Sequence, residues 1–290
     1  MPRKVIFAVA ALLGLFATAA LSAEKVENRY DVTFSLFGKI GEANINMECD
    51  KGRYHLHADG RLTGLAASVG KNLKESHDSY GTIVDGLFVP ERYVRVRIKE
   101  GRRDETVYTF DSERREITKR RVRERAVLRS HFDIATMSAV QETEIETSDT
   151  TELLPYYAKN DLLSLLFNVR RLIVSMPEGS QRISYTAGTN NEKGEVLIGN
   201  PGDRKRARLK ELMPNNEDRL VTVLINQDIF ESDRGELLLN LDCDYLISDA
   251  MLRNVVLFGD IHAKRVRKSG LCTSFRTAAS QLPPATSAPR

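Results

Sequence analysis

From Arg29 onward, apolar and polar residues trade places at every second position, and a chain patterned in this way buries one side of itself by forming β-strands. "YDVTFSLF" alternates, and in "ANINMEC" Ile45, Met47 and Cys49 alternate with Asn44, Asn46 and Glu48, the pattern of a half-buried antiparallel strand. "DKGR" supplies a turn, with Gly52 able to take the positive φ of a tight hairpin. With Lys51 and Gly52 as the loop, Glu48 faces His55, Met47 faces Leu56 and Asn46 faces His57. Tyr54, Leu56 and Ala58 then supply the buried side, and both histidines fall on the polar side. Gly38 and Gly41 suit a bend or bulge.

Two histidines at i and i+2 on one strand face, with Asp59 next in line, have the spacing of metal ligands. The reading preferred from sequence is a solvated polar face with a His55 to Glu48 cross-strand pair and no metal, because the apolar side of the hairpin is already complete. The meander continues through strands ending at turns with Gly86 and Pro90, then "YVRVRI", where Tyr93, Arg95 and Arg97 oppose Val94, Val96 and Ile98, and "ETVYTFD" as its neighbour. The stretch 112–132, "SERREITKRRVRERAVLRSHF", sets Lys119, Arg121, Arg123 and Arg125 on one strand face. It is expected as an exposed hairpin or edge whose charges resist aggregation, with an anionic membrane surface as the partner those four cations would meet.

One helix stands out. "KNDLLSLLFNVRRLIV" carries Leu162, Leu163, Leu165, Leu166, Val169, Leu172 and Ile173 as a broad helical stripe, Asn160 or Asp161 can cap it, Arg170 and Arg171 suit its end, and Pro177 and Gly179 stop it. Strands are expected again in "QRISYTA", "GEVLIG", "RARLKEL", "RLVTVLIN", "GELLLNLDCDYLI" and "RNVVLFGDIHAKRV". In the fifth, Leu237, Leu239, Leu241 and Cys243 share one side, and Asp242 and Asp244 the other without a matching acid, base or nucleophile nearby. The fold expected is mainly β: a curved antiparallel sheet or half-barrel with one main amphipathic helix.

The first residues, "MPRKVIFAVAALLGLFATAALSAEK", have the make-up of a secretory signal peptide: Arg3 and Lys4, an apolar run from Val5 to about Ala17, then small residues. Cleavage is expected after Ala23, with Ser22 as the alternative, and the absence of a cysteine after the cut argues against a lipid anchor. The organisation expected is a signal peptide over 1–23, one β-rich domain over 24–275 whose two halves, if it divides, meet near 150, and a disordered Pro-, Ala- and Ser-rich tail over 276–290. Removing Arg3 and Lys4 takes the net charge of +3 to +1, so the overall field selects no partner, nucleic acid included. The absence of Trp argues against a sugar groove of stacked indoles. Of Cys49, Cys243 and Cys272, at most two can pair in an oxidising compartment; three pairings remain open, and a small buried hydrophobe is an equal reading for Cys49 and Cys243.

The opening "YDVTFSLFGKIGEANINM", the return "YGTIVDGLFVPERY", the helix "DLLSLLFNVRRL" and the closing "LISDAMLRNVVLFGDIHAKRV" together resemble a bacterial periplasmic family, the domain-of-unknown-function family 3108, over roughly residues 28–268. That resemblance brings no catalytic residues. By analogy of architecture it implies curved sheets with a helix laid inside or across them, similar to lipoprotein and lipid carriers of the Gram-negative envelope. The function expected is an exported, non-membrane-spanning envelope protein, periplasmic or secreted, that binds an apolar ligand such as a lipid, an acyl chain or a lipidated protein without catalysis, using Leu162, Leu165, Leu166 and Val169. The alternatives are a periplasmic adaptor with a filled core and a hydrolase without a local motif. G-x-S-x-G, H-E-x-x-H and phosphate-loop motifs are all missing, so neither enzyme activity nor a cofactor is expected.

Overall fold

The computed structural model describes residues 24–34, 38–69, 72–133, 137–189, 193–213, 219–225, 235–244, 246–255 and 259–270. The expected signal peptide, the tail 276–290 and Cys272 lie outside them. The first half holds β1 (Glu24–Phe34), β2 (Gly38–Asp50), β3 (Arg53–Leu62), the short helix α1 (Gly64–Val69), β4 (Lys74–Val84), β5 (Leu87–Lys99), β6 (Arg102–Asp111), β7 (Glu116–Asp133) and β8 (Ser138–Leu153). The second holds β9 (Asn160–Asp161), α2 (Leu162–Val174), β10 (Gln181–Ala187), β11 (Glu195–Gly199), α3 (Asp203–Leu212), β12 (Arg219–Ile225), β13 (Glu236–Leu241), β14 (Ile247–Val255) and β15 (Gly259–Gly270).

These strands form one 15-stranded sheet in the order β8-β7-β6-β5-β4-β3-β2-β1-β15-β14-β13-β12-β11-β10-β9. β9 runs parallel to β10, and the other neighbours are antiparallel. The chain enters at the middle of the sheet, meanders out to β8, takes up again at β9 and returns to the middle at β15. The half-barrel with one main helix is therefore not what forms. The sheet is open, with β8 and β9 as its two ends, and three helices lie among the described residues.

The physical reason is that the second half is buried on both faces. Leu239 and Leu241 of β13 meet Leu165, Val169 and Ile173 of α2, whereas Leu238, on the other face of the strand, meets Leu209 and Met213 at α3. "RARLKEL", expected as a strand, belongs to α3: its residues are strong helix formers without a β-branched member, and Leu209 and Leu212 share one helical face. "GELLLNLDCDYLI" likewise is not one strand. Asp242 Oδ1 accepts from the Asp244 and Leu246 amides at 2.9 Å each, which turns the chain and leaves Cys243 exposed rather than on an apolar face.

The first hairpin has the expected register, Glu48 opposite His55 and Asn46 opposite His57. Lys51 (φ 47°) and Gly52 (φ 79°) make a turn of the left-handed kind that matches strand twist. Pro90 does not end a strand; β5 runs through it at a register break opposite Gly81, where a Cβ would lie 2.0 Å from the Val89 carbonyl oxygen. The basic stretch forms the hairpin β7–β8, which pairs on past the end of β6 at Arg102–Arg125 to Asp133–Ser138.

Helix α2 joins the two halves. Asp161 caps it, taking the Leu163 and Ser164 amides at 2.8 and 2.9 Å, and Ser164 Oγ accepts from the Asp161 amide. Leu163 and Phe167 sit in the core of the first half with Tyr54, Leu56, Phe88 and Tyr93, while Leu165, Val169 and Ile173 fill that of the second. Asn168 pairs with the Phe88 backbone as a strand would, its Oδ1 accepting from the amide and its Nδ2 donating to the carbonyl, both at 2.9 Å.

Candidate functional site

A cavity of about 650 Å³ opens where the core face of the first half stops being apolar. Its floor is built from cross-strand rows. Tyr93, Tyr108, Lys119 and Glu152 follow one another across β5, β6, β7 and β8; Arg95, Thr106 and Arg121 form the next row, and Arg97, Asp104 and Arg123 the one after, all but Tyr93 and Arg123 lining the cavity. Because residues two apart share a face, Tyr93 at the buried end carries Arg95 and Arg97 inward with it, and Val94, Val96 and Ile98 turn outward. Leu154, Pro155, Tyr156 and Thr189 close the other side.

The lining carries the cations Arg95, Arg97, Lys119 and Arg121 against the carboxylates Asp104 and Glu152. Three of the cations are committed. Arg95 Nε donates to Glu75 Oε1 at 2.7 Å, Lys119 Nζ to Glu152 Oε1 at 2.7 Å, and Arg121 grips Asp104 with two nitrogens, Nε to Oδ1 at 2.9 Å. Burial works to raise the Glu75 carboxyl, but its bond from His77 and the charge of Arg95 take it down to about 2. Asp104 is likewise held below its ordinary range by Arg121 in spite of burial. Arg97 differs: it lies across from Glu75 and Asp104 and its charge helps hold Glu75 down, but its Nε is buried without a hydrogen-bond partner. Burial pushes the Tyr108 phenol up to about 12, so at neutral pH it stays a neutral hydroxyl. The arrangement can hold an anion; it offers no activated nucleophile beside a base.

The residues expected to bind a ligand lie elsewhere. Leu165 and Val169, each 1% exposed, fill the second-half core. Leu162 and Leu166 are half-buried, and Leu166 borders a void of only about 10 Å³ with Tyr30, Ile45 and Leu246. Of the four cations expected to meet a membrane, Lys119 and Arg121 line the cavity, Arg123 lies 3.7 Å from Asp104, and Arg125 is exposed opposite Glu146. His55 and His57 are on the opposite face of the sheet, where β4 brings Asp78 against both.

A family model described as "Protein of unknown function (DUF3108)" matches residues 29–196. The chain belongs to that family. The DUF3108 match contains every residue lining the cavity, together with α2 and the histidine pair. It stops before β12, so the closing stretch 246–266, one of the resemblances in the sequence, falls outside it. No curated protein and no solved structure matches the chain, which leaves the lipid-carrier analogy without a structural counterpart. No helix among the described residues is long and apolar enough to cross a membrane.

Proposed function

We propose that this DUF3108 protein is a non-catalytic binding module of the bacterial cell envelope, exported by its first 23 residues, and that the cavity between β5–β8 and residues 154–156 receives an anionic small molecule. The observation that carries the reading is Arg97, a guanidinium on the wall of a 650 Å³ cavity whose buried Nε lacks a partner. A buried donor left unmade costs about 1–3 kcal/mol, more for a charged group; a carboxylate or phosphate that meets the guanidinium, with the side chain turning its Nε toward the cavity, would supply the bidentate geometry that suits it. Tyr108, Tyr156 and Pro155 give the rest of the ligand a flat, partly apolar wall. Binding by α2, the expectation from sequence, would require its leucines to leave a filled core.

The test is a thermal-shift and calorimetric titration with citrate and with a sugar phosphate. Saturable stabilisation that weakens with added salt and falls at least tenfold in affinity in Arg97→Gln is the expected result. A wild type indifferent to both anions, together with saturable uptake of a fluorescent fatty acid, would return the site to α2.

A further inference from the structure

On the outer face of the first half, His55 and His57 project from the same side of β3, two residues apart. β4 runs alongside with Asp78 directly across from His57. His55 Nε2 and His57 Nδ1 each lie 2.8 Å from one and the same oxygen, Asp78 Oδ1. One ligand atom from each of the three residues therefore falls within 4.8 Å of the others. Zinc bonds of ~2.0–2.1 Å in a tetrahedron set neighbouring ligand atoms ~3.3 Å apart, so the group would open by about half an ångström to admit an ion.

A second layer stands behind the first. The other nitrogen of each imidazole also looks at a carboxylate: His57 Nε2 is 3.4 Å from Asp59 Oδ2, and His55 Nδ1 is 3.9 Å from Glu48 Oε2. Asp59 is itself held by Asn44 Nδ2, at 3.1 and 3.2 Å from its two oxygens, and Tyr80 stacks flat on His55 with ring centroids 4.4 Å apart. Carboxylates behind imidazoles fix the tautomer and raise the basicity of the nitrogen that faces a metal. The charge balance points the same way. Glu48, Asp59 and Asp78 surround the two rings; Lys25 answers Glu48 at 3.3 Å, but among the described residues no lysine or arginine pairs with Asp59 or Asp78.

We propose that His55, His57 and Asp78 form a site for one divalent transition-metal ion of imidazole preference, zinc first among them, with Asp59 and Glu48 orienting the rings. Each ligand is about a third exposed or less, 32%, 32% and 21%, which leaves a coordination position toward solvent. The site is on the face of the sheet opposite the anion cavity and stands independently of it. The reading from sequence had the histidine pair with Asp59 next in line and withheld a metal because the apolar side of the hairpin was already complete; the carboxylate that faces both rings, Asp78, comes from a strand some twenty residues on.

Untagged protein, stripped with chelator and desalted, is titrated with zinc sulfate by calorimetry and with cobalt(II) followed by visible absorption. The expected result is one saturable equivalent and a cobalt spectrum without a thiolate band. His57→Gln and Asp78→Asn should abolish it with far-ultraviolet dichroism unchanged, Asp59→Asn should weaken it about 10–100-fold, and Cys243→Ser should leave it intact. If the ligand variants fail to fold, the Asp59→Asn shift and the wild-type cobalt spectrum decide. No saturable equivalent in the wild type, or one that persists in His57→Gln and Asp78→Asn, or one that Asp59→Asn leaves unchanged, overturns the site.

Discussion

Asp161 shows how much one side chain can hold. It caps α2 with one oxygen and takes Ser79 Oγ with the other at 2.6 Å, and Ser79 Oγ lies 3.1 Å from the Tyr54 hydroxyl. Burial pushes its carboxyl up to about 6, against the hydrogen bonds from Ser79, Ser164 and Leu163. A folded value above the unfolded one means stability that is fully present below about pH 4 and lost as the pH rises through about 6, ~3 kcal/mol in all. Asp161→Asn keeps an acceptor for the helix amides and removes the charge. Relative to wild type it should gain about 2–3 kcal/mol between pH 4 and pH 7.5, read from urea unfolding at each; an equal difference at both would refute the assignment. The cap was legible in the sequence, an Asp before a helical stripe. Arg95 and Arg97 were not, because alternation sorts a strand into two faces without saying which is inward. Ile98, 41% exposed, faces out, since Tyr93 and the arginines share the side of Leu56 and Tyr54. The paired runs Tyr93-Arg95-Arg97 and Tyr108-Thr106-Asp104, aligned across one turn, were the available signal.

Elements defined by local chemistry were readable: the hairpin 38–62 from its turn and alternation, and α2 from its stripe and cap. Elements defined by what covers them were not. α3 needs Leu209 to find Leu238 and Met251, contacts no window of sequence contains, and the turn at Asp242 interrupts a run whose periodicity alone continues. For α2 the core reading has a direct consequence. Leu165→Ala should cost ~2–5 kcal/mol by removing buried methyls and leaving a cavity, while Leu166→Ala, half-buried beside an existing void, should cost about 1 kcal/mol. Denaturant midpoints of the two variants check the order; a larger loss for Leu166 would show that its surroundings close further than the structure does. Asn168→Ala removes two buried hydrogen bonds to the Phe88 backbone and should cost ~2–4 kcal/mol.

At the scale of the whole molecule, two meanders share one sheet and meet where β1 pairs with β15, from Phe34 opposite Ile261 to Val26 opposite Gly270. Tyr30, whose hydroxyl donates to the Ile247 carbonyl at 2.7 Å, pins the second meander to the first. A chain ending before β15 should keep local hairpins and lose the single cooperative transition, which far-ultraviolet dichroism during heating would reveal as a broad, early slope. That pairing was beyond the sequence reading, because two strands so distant along the chain leave no mutual trace in either one's alternation. It also fixes a timetable. Synthesis delivers β1 long before its neighbour exists, and a thread crossing a membrane would reach the far side in the same order. Until β15 arrives, the side of β1 away from β2 presents a bare row of amides and carbonyls to any other unpaired strand nearby, so the edge most open to mispairing is one that the finished fold hides in the middle of its sheet.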